Sequence, residues 1–133
     1  MIIEERRPTL DEYNFLRRSA GWKLTEQLPT KNALKNALYS VVATDNEKVI
    51  GIGRVIGDGG LYYYVQDLIV DPDHQGNGYG KAMMSRLMDF IKQNAHPGSI
   101  IGLMSAPGLE DFYREFGFES KPEYGTGMYI IIV

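Results

Sequence analysis

A mixed α/β fold built on one sheet is what this sequence predicts, and three observations carry it. Three strand-like runs between Tyr39 and Val70 are separated only by short turns, which reads as an antiparallel meander. A glycine-rich loop then feeds an amphipathic helix and a further strand, which reads as a parallel crossover. Two helix-like segments precede the meander. The expected order is β-α-α-β-β-β-α-β-α-β, a mixed β-sheet flanked by helices, and the 133 residues suit one domain spanning 1–133.

Met1 to Arg6 reads as a first strand, interrupted by Pro8 and Thr9. Thr9-Leu10-Asp11-Glu12 fits a capping box, in which Thr9 satisfies orphan amides and Glu12 reaches back. A helix over Leu10 to Ser19 follows, with Tyr13, Leu16 and Leu10 turned inward, and Gly21-Trp22 breaks it. Thr30 is placed to cap a second short helix carrying Ala33, Leu34, Ala37 and Leu38 at helical spacing. Strands at Tyr39 to Ala43 and Lys48 to Ile56 flank the turn Asp45-Asn46-Glu47, and Gly57 to Gly60 turns into a strand over Leu61 to Val70. The next helix carries Met83, Met84, Leu87, Met88 and Ile91 on one face and is stopped by His96-Pro97-Gly98. A strand over Ser99 to Met104, a short helix over Leu109 to Phe116 ending at Gly117, and a last strand over Met128 to Val133 complete the chain. That last strand offers an apolar edge to a partner subunit, so a homodimer is an expectation.

Composition narrows function by exclusion. There is no cysteine, which rules out disulfides, thiolate metal sites and a cysteine nucleophile. The formal charge of -3, with Lys and Arg scattered, gives no reason to expect a nucleic-acid partner. No apolar run is long enough for a membrane span, and Met1 to Arg7 lacks the basic start and apolar core of a signal peptide. A cytoplasmic protein with no membrane partner is the expectation. His74 and His96 stand apart and gather no carboxylates, so no metal site is expected.

The chemistry concentrates in Gln75-Gly76-Asn77-Gly78-Tyr79-Gly80-Lys81, just after the strand that ends Asp67-Leu68-Ile69-Val70. A glycine loop at a helix start bares amides with no intrahelical partner, and the helix dipole adds partial positive charge there. Together these bind phosphate. A P-loop would need glycine at Gln75 and a hydroxyl at Ala82, so an NTPase motif fails. A dinucleotide fingerprint would need its third glycine at Lys81 or Met83, and fails as well.

What remains, Gln75-x-x-Gly78-x-Gly80 after an apolar strand, resembles the acyl-CoA-binding motif of the GNAT superfamily of N-acetyltransferases. The resemblance covers most of the chain. Asp111-Phe112-Tyr113-Arg114-Glu115-Phe116-Gly117-Phe118 is similar to the family's second motif, a short helix bearing a tyrosine and ending in Gly-Phe. The resemblance implies acetyl-CoA as acyl donor and no metal. It implies that amides from Gly76 through Lys81 cradle the pyrophosphate. It further implies that the strand at Leu68, Ile69 and Val70 splays from its parallel neighbour to receive the pantetheine arm. The acceptor is then a primary amine of a small molecule or peptide. Transfer is direct, through a ternary complex, since no cysteine can carry the acyl group.

Catalysis requires a neutral amine, a stabilised oxyanion and a protonated leaving thiolate. A lysine-like amine of pKa about 10.4 is neutral in roughly one molecule per thousand near pH 7.4, a gap of roughly 4 kcal/mol. Tyr113 matches the family tyrosine near the CoA sulfur and is the candidate acid. Asp67 is the candidate base, because Gln66 stands where relatives often carry glutamate. An amide of the splayed strand, that of Leu68 foremost, is the candidate oxyanion donor. Arg17, Trp22 and Lys23 are candidate walls of the acceptor site. The alternative is a non-catalytic acyl-CoA-binding sensor or interaction domain, which the absence of glutamate at Gln66 favours.

Overall fold

The computed structural model describes residues 1–133. Its elements are β1 (Ile2–Glu5), α1 (Leu10–Ser19), α2 (Gln27–Lys35), β2 (Tyr39–Asp45), β3 (Lys48–Gly57), β4 (Tyr62–Val70), α3 (Tyr79–Asn94), β5 (Ile100–Gly102) and α4 (Glu110–Arg114). Short 3-10 turns lie at Pro72–His74 and Pro122–Tyr124. The five strands form one sheet in sequence order, antiparallel through β4 and parallel between β4 and β5.

Local chemistry accounts for most boundaries. Thr9 and Glu12 form the expected capping box, and α1 runs over the expected residues with Tyr13 and Leu16 buried. Asn46 and Glu47 both take positive φ, the pattern of a tight two-residue hairpin between β2 and β3. One carboxylate oxygen of Asp58 accepts the amides of Gly60, Leu61 and Tyr62 and so fixes the turn into β4.

Two expectations are corrected. Thr30 does not cap α2; the helix starts earlier, at Gln27, with Pro29 in its first turn, where a missing N–H costs nothing. Thr30 is instead buried inside the helix and donates to the Glu26 carbonyl. Met128 to Val133 form no strand, so the order ends on α4 and a turn. A strand needs a neighbour to take its backbone groups, and these six residues pair with none.

The sheet is covered on both faces. On one face α3 lays Met83, Met84, Leu87, Met88 and Ile91 against Val41, Ala43, Val55 and Val65. On the other, Tyr13, Leu16 and Leu34 pack against Val42, Ile52 and Ile69. Each fully buried Leu, Met or Ile contributes roughly 1.5–3 kcal/mol. Gly51 and Gly53 bring α3 close: a Cβ on Gly51 would lie 2.7 Å from Met83 Cε and 3.2 Å from the Ile69 carbonyl oxygen.

One irregularity reshapes β4. Ile52 faces Ile69 and Arg54 faces Gln66, so Asp67 and Leu68 together oppose Gly53. This is a β-bulge, an extra residue that bends a strand and flips its alternation. Before it, Tyr63 and Val65 pack on the α3 side; after it, Leu68 and Val70 do. Asp67 sits at φ 57°, in the left-handed region that L residues avoid.

Charge pairing holds that conformation. Asp67 Oδ2 accepts from Arg54 Nη2 at 2.7 Å, from Arg54 Nε at 3.0 Å and from the Tyr13 hydroxyl at 2.7 Å. Its other oxygen accepts from Gln66 Nε2 at 3.0 Å, and Arg17 Nη1 lies 3.7 Å away. Arg54 also donates to the Ala33 carbonyl, tying β3 to α2. Both charged side chains are buried, and removing one partner of such a pair strands the other.

Two stability measurements follow. Arg54→Leu should destabilise the protein by about 3–5 kcal/mol in urea unfolding. Adding Asp67→Asn should cost less than the sum of the two single changes, because no buried charge is then left unpaired. Gly51→Val should lower stability by about 1–3 kcal/mol through overpacking beneath α3, read as a lower urea midpoint at unchanged slope.

Candidate active site

The site begins where two parallel strands part. β4 and β5 pair only at Tyr62, Tyr63 and Tyr64, opposite Ile100, Ile101 and Gly102. From Val65 onward that side of β4 has no strand beside it. The gap is a groove of about 300 Å³, lined along β4 by Val65 to Val70 and on the far side by Met104, Ser105, Ala106, Leu109 and Tyr113. Ala20 and Trp22 close it from the loop after α1.

Ladder geometry decides which backbone groups face this groove. The Asp71 amide donates to the Ile50 carbonyl at 2.7 Å, so alternation turns Asp71 and Ile69 toward β3 and leaves Val70 and Leu68 facing outward. The Val70 carbonyl does face outward, because it accepts from the Gln75 side chain at 3.1 Å. An outward polar group with no strand beside it must find another partner. The groove therefore offers polar backbone along an otherwise mostly apolar wall.

The helix start lies at one end of the groove. Gly76 and Gly78 both take positive φ, and Gly78 is the left-handed cap residue of α3. No side chain caps this helix, and the amides from Gly76 through Lys81 bond to no other group of the chain. Unpaired amides at the positive end of a sixteen-residue helix are the arrangement that receives an anion. Gly80 sits against Phe112 and Val70, where a Cβ would make ordinary contact at 3.8 Å. Asn77 donates to the His74 carbonyl and braces the loop. The Tyr79 ring is buried in the core, which leaves its backbone as its contribution to the loop surface. Lys81 is exposed and lies 3.9 Å from Glu115, a loose surface pair.

Tyr113 stands across the groove from β4. Its ring is buried edge-on against Phe112 at 5.1 Å between centroids and against Phe118 at 6.3 Å. Burial pushes its phenol pKa above the ordinary value, so the proton is held throughout the neutral range. The tyrosine is thus a packed aromatic that lines the groove with its phenol protonated.

Asp67 is where the structure departs from the sequence reading. As a base it would have to take a proton from an amine, but its carboxylate is 4% exposed and already accepts from Arg54, Tyr13 and Gln66. Protonating it would break those bonds, so it holds β4 in shape instead. Tyr13, whose own pKa is raised by burial and then by the Asp67 charge, was read from sequence only as an inward-facing helix residue, and Arg54 was not singled out. The available signal was one charged residue in the middle of each of two neighbouring apolar strands. Arg17, expected as a wall, reaches further than that. It donates to the Lys23 carbonyl at 2.9 and 2.7 Å and lies over the Trp22 ring at 5.3 Å, so it links the loop at the groove mouth to Asp67.

Known proteins match this arrangement. The sequence pattern of the acetyltransferase (GNAT) domain fits residues 36–120. An uncharacterized N-acetyltransferase of Pyropia yezoensis is 32% identical over 115 residues, which cover 84% of this chain and 65% of that one. The chloroplastic GCN5-related N-acetyltransferase 1 of Arabidopsis thaliana is 32% identical over 124 residues, 92% of this chain and 62% of its own. The chain spans about half to two thirds of the length of the curated relatives it matches. Among solved structures, a protein of unknown function and probable acetyltransferase from meticillin-resistant Staphylococcus aureus superposes with a TM-score of 0.92 at 32% identity, over 98% of both chains. With parted strands, a bare helix start and a groove-facing tyrosine held in that frame, the chain belongs to the GNAT family of N-acetyltransferases.

Proposed function

We propose that the protein transfers an acetyl group from acetyl-CoA to a primary amine of a small molecule or peptide, directly, within a ternary complex. The observation that carries this reading is the continuity of three features: unpaired amides at the start of α3, outward backbone along Leu68 to Val70, and the Tyr113 phenol across the gap. GNAT proteins use acetyl-CoA, and the donor groups here suit it part by part. Amides of Gly76 to Lys81 receive the pyrophosphate, with Gln75 holding the turn to β4. Outward amides and carbonyls of Leu68 and Val70 match the amide groups of the pantetheine arm. Lys81 adds little, because an exposed surface charge is screened.

The chemistry then runs through this chain's own groups. The amine nitrogen attacks the thioester carbonyl, and the Leu68 amide holds the charge that develops on oxygen. As the C–S bond breaks, Tyr113 gives its proton to the departing sulfur and later regains one from solvent. The proton lost by the amine passes to water, since Asp67 is committed to Arg54 and Tyr13. Trp22, Arg17 and the Lys23 carbonyl form the mouth through which the amine enters.

A second reading keeps the acyl-CoA site without turnover, and the commitment of Asp67 favours it because no carboxylate base is left beside the strand. Thiol release from acetyl-CoA over a panel of amines separates the two: release with at least one amine supports transfer, and tight CoA binding with no release supports a sensor.

Tyr113→Phe should lower kcat by about a hundredfold or more while CoA affinity stays within about threefold. The wild-type rate should climb from pH 7 to 9 as the amine loses its proton. It should fall only at a pH above the ordinary tyrosine range, where Tyr113 ionises, and the variant should lack that falling limb. Gly78→Val should weaken CoA binding at least tenfold by calorimetry. A side chain at φ 85° costs about 1–2 kcal/mol and turns the loop amides away.

A further inference from the structure

The bulge in β4 sets two consecutive side chains, Gln66 and Asp67, on the α1 side of the sheet, where Gln66 Nε2 donates to Asp67 Oδ1 at 3.0 Å. An ionised carboxylate only accepts, so the Gln66 amide meets it through nitrogen alone. Its oxygen must point elsewhere. Gln66 Oε1 accepts no hydrogen bond within the chain and is not enclosed. Gln66 lines the groove along β4, so this oxygen is the polar end it offers there.

The charges around that oxygen are lopsided. The groove is lined by 14 residues, and Asp67 alone among them is charged. Two guanidiniums meet its one carboxylate, Arg54 from β3 at 2.7 Å and Arg17 from α1 at 3.7 Å. The cluster therefore carries a formal excess of one positive charge. Tyr13, also on α1, donates its hydroxyl to the same carboxylate and adds no charge. Lys23, whose carbonyl holds Arg17, adds an exposed cation in the loop after α1. On the far bank the one titratable group is Tyr113, whose phenol stays neutral. No anion is left to hold an ammonium, and nearby positive charge disfavours one. A carbonyl oxygen accepts equally well from an uncharged N–H.

We propose that the groove takes its amine as the free base, with Gln66 Oε1 accepting from the amine nitrogen, and that the acceptor class it suits is a weakly basic primary amine. A lysine-like amine is neutral in roughly one molecule per thousand near pH 7.4, whereas an amine of pKa below about 6 is present almost wholly in the form this site binds. An N–H spent on Oε1 leaves the nitrogen lone pair free to attack the thioester. Asp67 acts through Gln66, as a positioning residue that fixes which end of the amide faces the groove. The inference takes its ligand from the proposed transfer to an amine, and its test reads binding without turnover, so the two fail separately.

The test is calorimetry on the CoA-loaded protein with ethylamine and trifluoroethylamine, near-isosteres of which only the second is largely uncharged at pH 7. Counted against total amine, ethylamine should bind about tenfold more tightly for each unit from pH 6 to 9, following its free-base fraction. Trifluoroethylamine should bind equally at pH 7 and 9, and far more tightly than ethylamine at pH 7. Gln66→Leu should weaken trifluoroethylamine by about fivefold or more, with CoA affinity within about twofold of wild type. Gln66→Glu supplies the missing anion and should flatten the pH dependence of ethylamine. Ethylamine binding equally at pH 6 and 9 would overturn the proposal. So would an unchanged amine affinity in Gln66→Leu, an unflattened profile in Gln66→Glu, or no binding of trifluoroethylamine at about 100 mM. A protein that binds amines in this way yet releases no thiol leaves the free-base site standing and removes the transfer reading.

Discussion

The buried pair between Arg54 and Asp67 holds a backbone turn that an L residue would otherwise leave. Asp67 occupies the left-handed region in the middle of a strand, and the cost is offset because its carboxylate has partners nowhere else. If the pair were lost, the extra residue could slip out of β4 and every side chain beyond it would change face. Leu68 and Val70 would leave the α3 core, and their amides would no longer face the gap beside β5. The groove along β4 therefore depends on the buried Arg54–Asp67 pair.

Fold and loop were legible because their causes are local. Thr9 and Glu12 announce α1, glycines and Asp58 announce the turns, and the methionine and leucine spacing announces α3. The site's framework was less legible because its causes are long-range. Asp67 and Arg54 are thirteen residues apart, and only strand pairing shows that each exists to neutralise the other. A carboxylate within the groove strand looks like a base until its partners are seen. Thr30 misled for a related reason: it has capping chemistry, but Pro29 lets α2 begin earlier. The final apolar run has strand composition without a strand, because composition supplies the propensity and not the neighbour.

The two faces of the sheet divide the labour. The α3 side carries most of the apolar core and positions the uncapped helix start, helped by the bare backbone at Gly51 and Gly53. The α1 side carries the polar network, with Tyr13, Arg17, Gln66 and Asp67 gathered beneath the loop that bears Trp22. β4 serves both faces, and its bulge exchanges which of its residues face which layer.

Arg17 gives this division a consequence for how such an enzyme can diversify. One guanidinium holds the Lys23 carbonyl, leans on Trp22 and sits near the carboxylate that shapes β4. A lineage reshaping this end of the groove is therefore not free to redraw the Gly21–Lys23 loop without disturbing β4. Change is cheaper on the opposite bank, around Met104 to Ala106, where the chain borders the same groove and carries no charged anchor. The shape of the groove in this architecture should drift first along that bank, while the loop after α1 stays tied to the sheet.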